Sequence, residues 1–171
     1  WLAELNIAHR EERDWRKEGA DLYAMYEGGR KKAHAFNVLW ANTELLLPAV
    51  YNSTPQPDVR RRFRDADPVG KGVSAVLERA LSTSIDVYDF DAEAESFVLD
   101  MLLVGRGVLR VKYEPSFDPA DADKLLSEQV ECECVQWDDF RRGPGKRWNE
   151  VPWLAFRHDF TAEMAEKQFG P

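Results

Sequence analysis

Apolar side chains recur at helical spacing through the first part of the chain. A stripe with a period close to that of an α-helix predicts one long helix over residues 1–27, in which most of the other positions are charged. Its members are Trp1, Leu5, Ala8, Glu12, Trp15, Gly19, Leu22 and Tyr26. Because Glu12 and Gly19 are poor core residues, the stripe is imperfect. It fits equally a helix that packs on a neighbouring subunit and one that packs on its own domain.

A second amphipathic segment follows two glycines. Gly28 and Gly29 predict the end of the first helix. The apolar spacing then predicts a helix over about residues 30–50, in which Pro48 bends or stops the last turns. Its apolar face consists of Phe36, Leu39, Trp40, Thr43, Leu46, Leu47 and Val50. The prolines within residues 52–58 predict an extended connector.

Two further helices are predicted beyond the connector. Residues 59–64 are compatible with a short strand. Asp67 is a suitable N-cap and Pro68 suits the first helical position, so a helix is expected to begin there. Its apolar face consists of Val69, Val73, Val76, Leu77, Ala80, Leu81 and Ile85. The next helix is predicted over about residues 91–104, with Gly105 as its C-cap.

Alternation of apolar and polar residues then replaces the helical period. This pattern is typical of half-buried strands, and it predicts three of them, over residues 107–114, 127–137 and 151–160. Residues 115–124 and 138–150 are predicted as loops, and Thr161 is predicted to cap a last helix. The expected fold class is α+β, with N-terminal helices followed by a small antiparallel meander.

The length and composition of the chain fit a folded protein. Its 171 residues suffice for one good-sized domain or two small ones. We expect N-terminal helices over residues 1–52 and helices plus the sheet over residues 53–171. No stretch approaches the about 18 apolar residues of a membrane-spanning helix, so no membrane partner is expected. Because the chain begins at Trp1 and stops just after Gly170, we interpret it as an internal part of a longer polypeptide.

The charge is acidic overall, with two local basic clusters. The net charge of −8 argues against generic tight binding to duplex DNA. The clustered arginines could grip phosphates or pair with carboxylates of an adjacent subunit. An acidic chain offers many carboxylate partners, so protein contacts are favoured. The candidate contact residues are Arg60, Arg62 and Arg64 in the first cluster and Arg141, Arg142, Arg147 and Trp148 in the second, which also contains Lys146.

No complete catalytic or cofactor-binding motif is present. The Gly70-Lys71 and Gly145-Lys146 pairs lack the other positions of a phosphate-binding loop, and no dinucleotide fingerprint is complete. Cys132 and Cys134 alternate on a predicted strand and are interpreted as core side chains rather than zinc ligands. We therefore expect no cofactor.

Two groups of aspartates are candidate metal ligands. Asp86, Asp89 and Asp91 lie between two predicted helices, and Asp138 and Asp139 lie at a strand end. Either group could hold Mg²⁺ for phosphoryl transfer. Such aspartates more often cap helices and shape turns, so we expect neither a metal site nor an enzyme.

Several short segments between residues 36 and 158 occur in a distinctive order. They are Asn42-Thr43-Glu44, Leu47-Pro48-Ala49-Val50-Tyr51-Asn52, Pro55, Pro57, Val59-Arg60-Arg61-Arg62-Phe63-Arg64-Asp65, Asp67-Pro68, Val76-Leu77-Glu78-Arg79, Gly105-Arg106-Gly107-Val108, Trp137-Asp138-Asp139-Phe140, Gly143-Pro144 and Trp148 to Trp153. This string resembles the N-terminal half of portal proteins from tailed bacteriophages of the short-tailed type, or from their prophage relatives. Ser82-Thr83-Ser84 departs from the aromatic residue that relatives often carry there.

The resemblance implies a structural subunit of a ring, usually of twelve copies, at one vertex of the capsid. Double-stranded DNA would be packaged and ejected through its channel without sequence-specific contacts. The implied partners are other copies of the chain, terminase, coat and scaffold proteins, and head-completion or tail proteins. The implied location is the virion, and the host cytoplasm during assembly. Since terminase hydrolyses ATP in that system, the family supplies no catalytic residue. This chain would form mostly the outer, wing-like region.

Two other functions stay open at this point. The second basic cluster could belong to a nucleic-acid-binding module that does not assemble into a ring. The aspartate groups could belong to a metal-dependent phosphoryl-transfer enzyme.

Overall fold

The computed structural model describes residues 1–31, 37–61, 68–118 and 121–170. Within them, helices precede strands, which confirms the α+β class. The helices are α1 (Leu2–Glu11), α2 (Arg13–Lys31), α3 (Val38–Val50), α4 (Pro68–Val87), α5 (Phe90–Val104) and, at the end, α6 (Ala162–Phe169). The strands are β1 (Leu109–Asp118), β2 (Asp121–Cys134), β3 (Phe140–Arg142) and β4 (Leu154–Phe156), with a 3₁₀ turn at Trp148–Glu150.

The described strands form two separate two-stranded antiparallel sheets instead of one meander. The hairpin β1–β2 pairs Val111 with Cys132, and β3 pairs with β4 through Phe140 and Phe156. Most of the loop predicted at residues 115–124 belongs to the hairpin, because backbone pairing overrides weak strand propensity. Of the third predicted strand, over residues 151–160, only β4 is formed. It pairs with β3, which lies within the loop predicted over residues 138–150.

The N-terminal helix is nearly continuous, as its stripe predicts. Glu12 separates α1 from α2, yet its N–H still donates to the Ala8 carbonyl (3.2 Å) and its carbonyl accepts from Arg16 N–H (2.9 Å). The predicted break at Gly28 and Gly29 is wrong, since α2 continues to Lys31. Glycine costs a helix interior about 1 kcal/mol, which packing elsewhere along α2 can offset.

Three predicted helix boundaries agree with the structure. Pro68 is the first residue of α4, and the predicted cap Asp67 lies outside the described residues. Gly105 ends α5 in the left-handed region at φ 77°, and the Thr161 hydroxyl accepts from Met164 N–H at the start of α6. Pro48 does not stop α3, which runs on to Val50. Residues 59–61 form no strand, and the rest of that predicted strand is not described.

The core lies where α2, α3 and α5 meet the segment after β2. It contains the buried residues Tyr26, Leu103, Val104 and Trp137, surrounded by Trp15, Tyr23, Leu39, Trp40 and Leu99. The Trp15 and Trp137 rings meet edge to face at 5.4 Å, and Tyr23 stacks on Trp137 at 5.9 Å. The N-terminal stripe therefore packs on its own chain. The core draws on both sides of the division predicted near residue 52, and that division stays a prediction.

The chain exposes far more surface than a compact protein of its size. Its accessible area is 13403 Å² at a mass of 19.7 kDa, whereas a compact monomer of that mass exposes roughly 8,600 Å². Within the described ranges, no helix has both the length and the hydrophobicity needed to cross a bilayer.

Candidate functional site

A network of arginines and carboxylates joins the N-terminal helices to the turn after α5 and to the segment before β3. Glu12, between α1 and α2, accepts two hydrogen bonds from Arg106, at 2.6 and 3.0 Å, and one from Arg16 at 2.7 Å. Arg106 follows the left-handed Gly105 that ends α5, and this turn directs the chain back toward α2. Bidentate pairing of this kind is the strongest geometry for an arginine and a carboxylate.

Arg16 carries the network on to the segment before β3. Its side chain is only 6% exposed. It donates to the Asp138 carboxylate at 2.7 Å, to the Asp138 carbonyl at 3.0 Å and to the Phe140 carbonyl at 2.8 Å. A buried guanidinium is tolerated when its charge and most of its donors are matched. Among the described residues, both Nη atoms of Arg16 have such partners, whereas its Nε has none. Arg16 thereby fixes the start of β3 against α2.

The charges set the protonation of the network. Burial by itself raises the pKa of Glu12, but the hydrogen bonds and charges of Arg106 and Arg16 outweigh it and hold that pKa below its usual value. The Arg106 guanidinium also lies 4.1 Å from the centre of the Trp15 ring, a cation–π contact that strengthens out of water. The network is therefore an ion cluster that joins elements, without a free nucleophile or base.

Two arginines of the second predicted cluster turn back onto the chain. Arg141 has a side chain 13% exposed, and it donates to the carbonyls of Phe140, at 3.0 Å, and Asp138. Burial lowers the pKa of Arg141, and the neighbouring positive charge of Arg16 adds to this effect. Arg142 donates to the Gly145 carbonyl at 2.9 Å. Both side chains are thus engaged in shaping the loop that follows β3.

The rest of that cluster projects from the surface. Lys146, Arg147 and Trp148 are exposed, and in the described part of the chain neither cation makes an ion pair. Trp148 is 67% exposed, although its ring stacks at 6.5 Å on Phe140. We call Lys146, Arg147 and Trp148 the basic knob.

The first predicted cluster lies in a different place. Arg60 is exposed and pairs with Asp58 through its Nε (2.8 Å) and Nη2 (2.5 Å) atoms, while Val59 N–H donates to Glu78 of α4 at 2.9 Å. Arg62 and Arg64 lie outside the described residues. This connector borders α4, whereas Arg141 borders α1, where its Nη2 atom lies 3.5 Å from His9 Nδ1.

Three of the five aspartates considered as metal ligands have other partners. Asp91 accepts from the hydroxyls of Tyr51 and Thr54, both at 2.7 Å, and so ties the connector to α5. Asp138 and Asp139 face Arg157, at 3.5 and 2.8 Å. The described residues contain no group of three or more His, Cys, Asp or Glu residues placed to hold a metal ion.

The two cysteines lie half-buried on the hairpin and form no disulfide. Burial raises the pKa of the Cys134 thiol to about 12, and the nearby carboxylates Asp100 and Glu93 add to the shift. A thiol with so high a pKa is a poor nucleophile near neutral pH.

The apolar stripe of α4 is the main departure from the sequence prediction. None of its residues is buried among those described, although the stripe predicts a core face. The second half of the stripe, from Leu77 to Ile85, instead forms one wall of an open groove of about 670 Å³, and the hairpin forms the other. The lining includes Leu77, Leu81, Ile85, Val111, Tyr113 and Val130. We call this feature the α4–hairpin groove.

Sequence reasoning missed Arg16, Arg106 and Arg157 as members of the ion network. The available signal was the poor fit of Glu12 and Gly19 to the N-terminal stripe, because a carboxylate within a buried stripe implies a buried cation. Comparison of the chain with family models, with curated proteins and with solved structures found no match.

Proposed function

We propose that the protein is a non-enzymatic structural subunit of a viral portal ring, through which double-stranded DNA enters and leaves the capsid. The observation that carries the proposal is the uncovered apolar face of α4 and the hairpin. Leu77 and Leu81 are 48% and 47% exposed on α4, and Val111 is 70% exposed on β1. A contiguous apolar face of this kind is typical of a surface that another protein covers.

The size of the uncovered surface supports an assembly. The accessible area of 13403 Å² exceeds the compact expectation by roughly 4,800 Å². A standard interface removes about 800 Å² from each partner, and permanent assemblies bury several times more. A ring subunit has a neighbour on each side, so an excess of this order suits it.

The segments that carry the resemblance hold the framework together. Arg106 binds Glu12, and Asp138 binds Arg16. Gly107 lies so close to Phe97 that an added Cβ would stand 2.4 Å from the Phe97 carbonyl oxygen. Structural roles for these motif residues suit a portal subunit, which leaves ATP hydrolysis to terminase.

The charge also favours a conduit over a tight nucleic-acid binder. A net charge of −8 releases few counterions on contact with DNA and so favours sliding. Arg141 and Arg142 are engaged by backbone carbonyls, which weakens the case for a module that grips phosphates with them. The same proposal includes the partners expected at the portal vertex, which are terminase, coat and scaffold proteins and head-completion or tail proteins.

Negative-stain electron microscopy of the protein as its gene encodes it tests the proposal. We expect annular particles of uniform size, with no nucleotide hydrolysis by the purified ring. A protein that stays a single particle and turns over a nucleotide would contradict the proposal.

A further inference from the structure

The α4–hairpin groove has the dimensions and the apolar lining of a docking site. Its volume of about 670 Å³ falls within the range of about 300–1,000 Å³ that is typical of small binding pockets. Leu77 and Leu81 of α4 remain about half exposed along one wall, and Tyr113 and Val130 do so along the other. The groove is therefore open for one large side chain and the residues around it.

The charged residues that line this groove are both acidic. Glu128 lies on the same face of β2 as Val130, and its carboxylate accepts from the Tyr113 hydroxyl at 2.7 Å. Glu131 borders the groove only from the neighbouring position of the strand, and it belongs to the opposite, polar face, where it lies across from Lys112 of β1. In the part of the chain that the structure describes, no Lys or Arg lies within ion-pair distance of either carboxylate. An incoming segment should therefore be aromatic or aliphatic at its centre and basic at its edge.

The basic knob of this same chain has that composition. Trp148 projects at 67% exposure and directly follows Lys146 and Arg147. A tryptophan side chain buries about 150–250 Å² when it is covered, and tryptophan is among the commonest residues that dominate interface energies. The two cations beside it complement the Glu128 carboxylate in the groove.

The knob and the groove lie on different sides of the hairpin. Arg110, from the polar face of β1, stacks at 4.6 Å on Phe156 of β4. Phe156 packs on Phe140, and Phe140 packs on Trp148. The knob is therefore on the polar side, whereas Val111 and Val130 face the groove. Two different patches on different sides of one molecule are what a head-to-tail contact requires.

We propose that the basic knob of one copy of this chain docks in the α4–hairpin groove of the next copy. Trp148 fills the groove, and the cations of the knob meet Glu128. This contact rests on the proposed function, because it supplies the interface by which the ring would close. It names the two surfaces, which the proposed function leaves open.

Charge reversal in the two patches tests the contact. One variant carries Lys146→Glu and Arg147→Glu, and the other carries Glu128→Lys. Each variant alone has like charges across the contact, whereas their equimolar mixture restores opposite charges at every junction. We expect sedimentation velocity to show association of the wild type, loss of association in each variant alone, and recovery in the mixture.

The tryptophan is tested separately, with a matched control. Trp148→Ala should weaken self-association by more than about 10-fold. Trp1→Ala removes a tryptophan that is even more exposed, at 81%, but lies outside the knob, and it should leave association unchanged. Far-UV circular dichroism identifies any variant that does not fold.

The outcomes separate this inference from the proposed function. Annular wild-type particles together with unaffected variants would overturn the knob-and-groove contact and leave the portal proposal standing. Association that follows the charge pattern but gives open chains or dimers would support the contact and contradict the ring. A wild type that stays monomeric at about 100 µM, where even weak contacts with a Kd below that concentration are populated, would overturn both.

Discussion

Glu12 is the residue on which the buried Arg16 and the partly buried Arg106 converge. Arg106 lies 94 positions away along the chain, and Arg16 one helical turn away. Removing one partner of a buried ion cluster leaves the other charges poorly compensated, which costs more than the pair contributes when intact. The side chain of Glu12 is 21% exposed, so water compensates for part of that loss.

Glu12→Gln should lower the free energy of unfolding by about 2 kcal/mol at neutral pH, because two guanidinium groups lose a charged acceptor. The exposed neighbour Glu11 provides the control, and Glu11→Gln should change stability by less than about 0.5 kcal/mol. Urea denaturation followed by tryptophan fluorescence measures both. Equal effects from the two substitutions would contradict the role assigned to Glu12.

The same network predicts a pH dependence. Because the pKa of Glu12 in the folded chain lies below its ordinary value of 4.5, its contribution to stability is complete above about pH 4.5. The contribution is lost as the pH falls through the folded-state pKa. We therefore expect the stability difference between wild type and Glu12→Gln to shrink on acidification below that value. A difference that stays constant from pH 7 to pH 3 would contradict this account.

Gly19 is required for close packing rather than for backbone freedom. A Cβ at this position would stand 2.8 Å from the Trp137 ring and 3.1 Å from Val104. Gly19→Ala should destabilise the fold by about 1–3 kcal/mol through overpacking. Gly28→Ala in the same helix has no atom within 4 Å of the new Cβ and should stabilise by about 0.5–1 kcal/mol. Thermal unfolding that ranks the two variants in the other order would rule out this packing.

At the scale of elements, Asp100 joins α2 and α5 to the segment after β2. It is 5% exposed, and its carboxylate accepts from the Tyr23 hydroxyl and from Trp137 N–H at 3.0 Å. Burial raises the pKa of Asp100, and these two hydrogen bonds partly oppose the shift. A buried carboxylate with matched donors fixes the relative positions of the three segments.

Tyr23→Phe should destabilise the fold by about 1–3 kcal/mol at neutral pH, because it leaves the Asp100 carboxylate with one donor fewer. Tyr113→Phe removes a similar hydroxyl that donates to the exposed Glu128, and it should cost less than about 1 kcal/mol. Chemical denaturation compares the pair. Without its donor, Asp100 is favoured in the neutral form, so the penalty of Tyr23→Phe should decrease as acid protonates Asp100.

At the scale of the whole molecule, a small buried core accompanies a large accessible surface. The core cluster gathers its aromatic residues around Trp137, while the α4–hairpin groove remains open to solvent. Association that buries such a face stabilises the folded chain by mass action. The stability of the isolated chain should therefore depend on its concentration.

The midpoint of thermal unfolding should rise by about 2–5 °C for each tenfold increase in protein concentration, since a tenfold change is worth about 1.4 kcal/mol for each interface. Leu81→Lys, in the groove, should remove this dependence. Thr83→Lys lies on the same helix outside the groove lining and should preserve it. Calorimetry over a hundredfold concentration range compares the three proteins, and a persistent dependence in Leu81→Lys would exclude the groove as the associating face.

Local pattern was sufficient for the fold class and for the order of most described elements. The start of α4 at Pro68, the end of α5 at Gly105 and the cap at Thr161 follow from residues adjacent in sequence. These signals work because helix ends and strand alternation depend on backbone groups a few positions apart. The N-terminal stripe likewise indicated which face of α2 is buried.

Only the tertiary structure decided which apolar faces are covered and which charges meet. The stripe of α4 has the same period as a core face, yet the residues of its second half line an open groove. In the sequence, Glu12 only interrupts an apolar stripe. In the structure, it binds Arg106, which lies 94 positions away along the chain. The spacing of apolar residues shows that one face of an element is apolar. What packs against that face depends on contacts between distant parts of the chain, and the local sequence pattern carries no information about them.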